Sequence, residues 1–331
     1  MPVIDASSLK LVKAPAAAGE RPATRAQGSR RVISIGGGKG GIGKSFIATN
    51  LAIEFARRGQ KVMLIDADLG GANLHTCLGI GQPRKSLSDF LEGRVDRIED
   101  VVVPSGIPNL GIVSGAMDGV DAANPEHGPR MRLLRHIQGL DFGQVVVDVG
   151  AGTHPNVLDF FLLSDHGILV LVPEPTAVEN VYRFVKAAFW RRARNAVAAC
   201  GFEPLLRSVM QSAFKSPAEI IAALSARSPH AGAILSRHLE RFRPRLLVNQ
   251  TRTPQDVDVG NAVVAVWRKF FGLDMDYLGH IQHDPEMWRT MRARRPLLVH
   301  SPAAPAAKAF AQIADRLSAL DAAHARSEGT K

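Results

Sequence analysis

From residue 31 onward the chain alternates two textures: short continuous apolar runs, and stretches in which apolar residues recur every three or four positions. The first texture is that of strands covered on both faces, and the second is that of helices with one apolar side. Strands are predicted at RVISIG (31–36), KVMLID (61–66), NLGIVSG (109–115), QVVVDV (144–149), HGILVLV (166–172), RLLVN (245–249) and DYLGHI (276–281). Between the first two, KSFIATNLAIEFARRGQ sets Ile47, Leu51 and Phe55 at helical spacing and puts Gly59 where a helix ends. A longer helix is predicted over 175–199, and DPEMWRTMRARR and PAAKAFAQIADRLSAL predict two more near the end. Strands alternating with helices imply an α/β fold, a mostly parallel sheet of seven or eight strands with helices on both faces.

Residues 203–243 break the rhythm, because SPAEIIAALSARS and HAGAILSRHLERF read as two helices with no strand between them. They are predicted to form a small helical insertion in a domain spanning 31–320. The first 30 residues carry Lys10, Lys13, Arg21, Arg25 and Arg30 among Ala, Pro and Gly, the composition of a disordered basic arm. Residues 321–331 are expected to be a disordered tail, without an apolar face to anchor strongly in a membrane.

The composition narrows the setting. Cys77 and Cys200 stand far apart with no CxxC pair, which points away from zinc and iron–sulfur sites and suits a reducing cytoplasm. The most apolar stretch, FFLLSDHGILVLV, is interrupted by Asp165 and His166 and is too short to span a bilayer. A formal net charge of +10 favours an acidic partner, and two arginine groups, WRRAR (190–194) and RTMRARR (289–295), make nonspecific DNA one candidate.

The chemistry concentrates in GKGGIGKS (38–45), which fits the phosphate-loop pattern G-x-x-x-x-G-K followed by Ser or Thr, and lies between a strand and a helix. In such a loop, backbone N–H groups and the helix N-terminus converge on phosphate oxygens. Lys44 would bridge the terminal phosphates and Ser45 would offer its hydroxyl to Mg2+. The candidate nucleotide-binding residues here are Gly38, Lys39, Gly40, Gly41, Ile42, Gly43, Lys44, Ser45 and Phe46.

The second lysine, Lys39, makes the loop resemble the deviant Walker A pattern KGG-x-GK of the MinD/ParA-family ATPases. The resemblance implies ATP and Mg2+ as cofactors, slow Mg2+-dependent ATP hydrolysis, and an ATP-dependent homodimer in which Lys39 reaches the nucleotide of the facing subunit. It also implies roles for carboxylates. Asp66 and Asp68 in LIDADLGGANLH match the family's first switch segment, with Asp66 on the metal side and Asp68 orienting the attacking water. Asp148 in QVVVDVGAG matches the residue that holds Mg2+ through water, and Gly150 and Gly152 would let that segment respond to the γ-phosphate. Asn249 matches an adenine contact, with Asp284 and Pro285 in the loop beyond the next strand.

Within that family, SLSDFLEG (86–93), PEPTAVENVYRFVKA (173–187) and residues 291–317 are similar to the FlhG/FleN/YlxH branch, whose members regulate flagellar number and position, often with an SRP-type GTPase as partner. The DQAxxLR-like element of that branch is absent from the first 30 residues, and the 203–243 segment is extra. The alternative is a ParA-like partitioning ATPase that binds DNA nonspecifically. Partners could recruit a cytoplasmic protein of this kind to a pole, the nucleoid or a membrane surface. Mrp-type iron–sulfur carriers usually add a CxxC, tyrosine kinases of similar loop carry a tyrosine-rich tail, and amidoligase-like synthetases usually lack the residue matching Lys39; none fits this chain.

Overall fold

The computed structural model describes residues 31–115, 125–164, 166–211 and 216–328. The basic arm expected over 1–30 lies outside them. Eight strands form one sheet: β1 (Arg31–Gly37), β2 (Val62–Ala67), β3 (Val102–Pro104), β4 (Leu110–Val113), β5 (Gln144–Ala151), β6 (Ile168–Leu171), β7 (Arg245–Thr251) and β8 (Asp276–Gln282). Their spatial order is β3-β4-β2-β5-β1-β6-β7-β8, and every pairing is parallel except β3 with β4. All seven strands predicted from apolar runs are present. The eighth, β3, is a three-residue edge strand too short to leave a pattern.

Side-chain alternation divides the central strands between two helical layers. Ser34 on β1 donates from Oγ to the carbonyl of Phe160, 2.9 Å away, in the helix Pro155–Phe161, and Gly36 faces Phe161 and Phe184. That layer continues through the helices Pro175–Ala198 and Pro254–Phe271, joined by edge-on rings of Phe161 with Phe184 and Phe189 with Phe271. The opposite layer holds the helices Lys44–Arg57 and Pro305–Glu328, in contact through Phe46 and Phe310. Every residue of β2 is buried, Asp66 included, which accounts for the apolar run Val62 to Ile65.

The helix Pro254–Phe271 lies outside the predicted elements. Its valines at 257, 259, 263, 264 and 266 read as strand formers, yet Thr253 and Asp256 close a capping box at its start and Gly272, at φ 65°, ends it. Among its described residues the 203–243 segment contains three helices, Glu203–Met210, Pro217–Arg227 and Pro229–Glu240, where the sequence predicts two.

The chain end corrects a further expectation. The last helix runs through Glu328, so the first eight residues of the expected tail are helical, and only 329–331 lie outside the described residues. Asp321 explains why the helix continues. It pairs with Arg31 at 3.1 Å and with the buried guanidinium of Arg245, which is 1% exposed. A buried arginine without its carboxylate is strongly destabilising.

Asp321→Ala should therefore lower unfolding free energy by about 3 kcal/mol. Asp315→Ala, which removes an exposed partner of Arg58 on the same helix, should cost less than about 1 kcal/mol. Urea titration of both variants checks the contrast; equal effects would contradict it.

Candidate functional site

Five elements meet at the C-terminal end of the central strands. β1 ends at Gly37, and the loop from Gly38 crosses to the helix Lys44–Arg57. Gly43, the residue before that helix, has φ 93°, and a Cβ there would lie 2.5 Å from Asn249 Nδ2. Only glycine satisfies both the left-handed backbone and that close approach. No side chain caps the helix, so its leading N–H groups point into the loop's concavity with the positive end of the helix dipole behind them.

Lys44 is 7% exposed and donates from Nζ to the carbonyl of Lys39, 3.3 Å away. Burial lowers its pKa, with Asp148 and Asp68 acting in the opposite direction. Asn249, near the C-terminal end of β7, is fully buried and donates from Nδ2 to the carbonyl of Ile42 at 2.8 Å, tying the strand to the loop.

The parallel pairing of β2 and β5 puts Asp66 in register with Asp148. Both are buried, at 0% and 1% exposure. Burial and the facing carboxylate push Asp148 up to about 8, against the opposing hydrogen bond from Ser45 and the Lys44 charge. Burial pushes Asp66 up to about 6. Asp66 receives three backbone N–H groups: from Asp68 on Oδ1 at 3.2 Å, and from Asn73 and Leu74 on Oδ2 at 2.9 and 3.0 Å. Its carboxylate is therefore a clamp on the 68–74 loop, a role the sequence does not suggest. Asp68 is half-buried on that loop and faces Gly150, where a Cβ would stand 3.1 Å from its Oδ1.

Among the buried acceptors without a partner in the described structure, two lie next to the phosphate loop, Asp148 Oδ1 and Asn249 Oδ1. They flank the phosphate loop from opposite sides. Once ionised, the Asp148 oxygen beside Ser45 and a second buried carboxyl fits the donor set of a hard divalent cation such as Mg2+. The Asn249 oxygen suits an N–H donor such as an adenine amino group.

Other predicted residues are placed differently. Asp284 caps the helix Pro285–Arg292, accepting from Glu286 N at 2.9 Å and from Ala306 N at 3.3 Å, so both of its oxygens join the C-terminal elements together. Pro285 is the exposed first residue of that helix. Of the WRRAR group, Arg191 clamps the buried Asp159 with two 2.8 Å hydrogen bonds and Arg192 donates to the carbonyl of His238 at 2.7 Å, so both serve packing.

Lys39 is exposed on the loop and forms an ion pair with Glu174 at 3.1 Å, the side chains being 43% and 57% exposed. Glu174 precedes the helix Pro175–Ala198. Nothing in the sequence marks this partner, 135 positions away.

The ParA family model, described as NUBPL iron-transfer P-loop NTPase, matches residues 28–189. The antiactivator FleN of Pseudomonas aeruginosa is 26% identical over 290 residues, 87% of this chain and 86% of that protein. The flagellum site-determining protein YlxH of Helicobacter pylori is 32% identical over 48% of this chain and 54% of its own length. The septum site-determining protein MinD of Synechocystis is 32% identical over 47% of this chain and 58% of its own. The alignment thus spans about half the length of the last two relatives. Among solved structures, MinD of Pyrococcus horikoshii complexed with Mg-ADP superposes with a TM-score of 0.61 at 22% identity, covering 88% of this chain and 98% of that one. This likeness establishes the fold, a MinD-like P-loop NTPase architecture.

The raised Asp148 carboxyl generates a proton-linked prediction. At pH 7 it holds its proton, and a cation favours the ionised form, so binding of Mg2+ with nucleotide should expel close to one proton per chain. The release should fade as pH rises past about 8, where the carboxylate is already ionised. Calorimetry in buffers of different ionisation enthalpy measures it, and Asp148→Asn should remove most of it. No release at pH 7 would contradict the assignment.

Proposed function

The chain belongs to the ParA/MinD family of P-loop NTPases, and on that premise we propose that it is a Mg2+-dependent ATPase working as a dimerising switch that regulates the position or number of a cellular structure. The observation that carries the reading is the convergence of Lys44, an uncapped helix N-terminus and the unpartnered Asp148 oxygen at one end of the sheet. On this reading the loop is the phosphate cradle, Asp148 the cation seat and Asp68 the carboxylate that orients water.

In this reading Lys44 neutralises the terminal phosphate oxygens, while the Ser45 hydroxyl and Asp148 hold the metal, Asp148 through water. Bound Mg2+ would draw charge from the β- and γ-phosphates. Asp66 keeps the 68–74 loop in place through its three backbone hydrogen bonds. Asp68 orients a water whose oxygen attacks the γ-phosphorus as the bond to the β-phosphate oxygen breaks, leaving ADP and phosphate. The Asn249 Oδ1 acceptor reads the adenine amino group.

Lys39 acts in trans. Within one chain it rests on Glu174 in an ion pair open to water, and such pairs contribute at most about 1 kcal/mol. A triphosphate on a facing subunit, with more charge in a drier interface, readily outcompetes it. Dimerisation thereby becomes a report on whether the γ-phosphate is present.

The relatives' names supply the biological direction: an antiactivator, a flagellum site-determining protein and a septum site-determining protein. Similarity to FleN over 86% of that protein's length favours flagellar regulation, with an SRP-type GTPase as a candidate partner.

Light scattering of Asp68→Ala should show a dimer with ATP and a monomer with ADP. Lys39→Ala should bind ATP yet stay monomeric, and Lys44→Ala should lose binding and at least about 100-fold in turnover. An Asp68→Ala protein that stays monomeric with saturating ATP would refute the switch.

A further inference from the structure

Beyond β8, the helix Pro285–Arg292 and the short helix Leu297–His300 form a surface that the nucleotide site does not use. Met287 and Thr290 point into the core, whereas Trp288 is 61% exposed and Met291, one turn further on, is 52% exposed. Val299, 49% exposed, stands on the second helix, which is fastened to the first by a 2.9 Å hydrogen bond from Ser301 Oγ to Glu286 Oε2. Three large apolar side chains thus face water within 12 residues of chain.

Cations surround them. Arg289, Arg292, Arg294 and Arg295 are all exposed, and Arg292 lies over the Trp288 ring, 4.6 Å from its centroid. From 285 to 300 the only acidic residue is Glu286, already paired with Arg289 at 2.6 Å. The surface is therefore both apolar and strongly basic.

An apolar patch rimmed by charge marks a docking surface, and its chemistry identifies what docks. Duplex DNA would engage the arginines through its phosphates but offers little to Trp288, Met291 and Val299. An anionic bilayer uses both features. Indole and aliphatic groups enter the boundary between headgroups and acyl chains, while arginines extend to lipid phosphates. We propose that this surface is a peripheral docking site for anionic lipid, a salt-sensitive contact rather than a membrane anchor. It does not depend on the ATPase reading and can be measured without nucleotide.

The test is co-sedimentation of the full chain with vesicles of phosphatidylcholine containing roughly 30% phosphatidylglycerol at about 0.1 M salt, with pure phosphatidylcholine vesicles and a short DNA duplex in parallel. The wild type should bind the anionic vesicles and not the neutral ones. Trp288→Ser with Met291→Ser, and separately Arg292→Gln with Arg295→Gln, should each weaken vesicle binding by roughly tenfold or more. Unchanged melting temperatures show that the variants remain folded, as these exposed sites allow. Trp288 fluorescence should shift to the blue on binding and be quenched by brominated lipid, signals that Trp288→Phe removes. The proposal is overturned if the wild type ignores anionic vesicles, or if both double variants bind them normally. It is equally overturned if the wild type binds only DNA and the arginine pair alone matters.

Discussion

Two carboxyl groups, Asp66 and Asp148, lie side by side in a dry sheet interior, and they cannot both be charged at neutral pH without a compensating cation. Parallel register makes the pairing unavoidable once β2 and β5 are neighbours, and the adjoining phosphate loop brings Lys44 to the same end. The two carboxylates resolve the conflict differently. Asp66 spreads its charge over three backbone N–H groups and so organises a loop, while Asp148 keeps one oxygen unpartnered. In the proposed reading, an Asp148 carboxyl whose pKa is raised by burial would give up its proton as a cation binds.

The same economy governs the two lysines. Lys44 is buried and surrounded by its own chain's groups, which suits a fixed role on one nucleotide. Lys39 is exposed and held only by Glu174, a contact weak enough to exchange. In the proposed switch Lys44 stays and Lys39 leaves, which would give a loop a reason to carry both. Asn249 adds rigidity, since its bond to the Ile42 carbonyl transmits the position of β7 to the loop.

Much of this was legible in the residues because the governing patterns are local. Continuous apolar runs marked seven strands, and the glycine-lysine loop sits at a strand–helix junction where its chemistry operates. What was not legible is non-local or ambiguous. The Lys39–Glu174 pair joins distant segments, and the Asp66 clamp depends on how a loop folds back over its own strand. Valine-rich Pro254–Phe271 has a helix's caps with a strand's composition, and tertiary packing decided it. Asp321 looked like the start of a polar tail until Arg245, buried on a strand 76 positions earlier, supplied its partner.

The central claim is that Lys39 exchanges an internal carboxylate for a neighbour's phosphate. A crystal structure of the Asp68→Ala protein with ATP and Mg2+ tests it most directly. The account predicts two chains face to face, each Lys39 Nζ withdrawn from Glu174 and within hydrogen-bond distance of the opposite nucleotide. A lone, ATP-loaded chain with Lys39 still on Glu174 would contradict it.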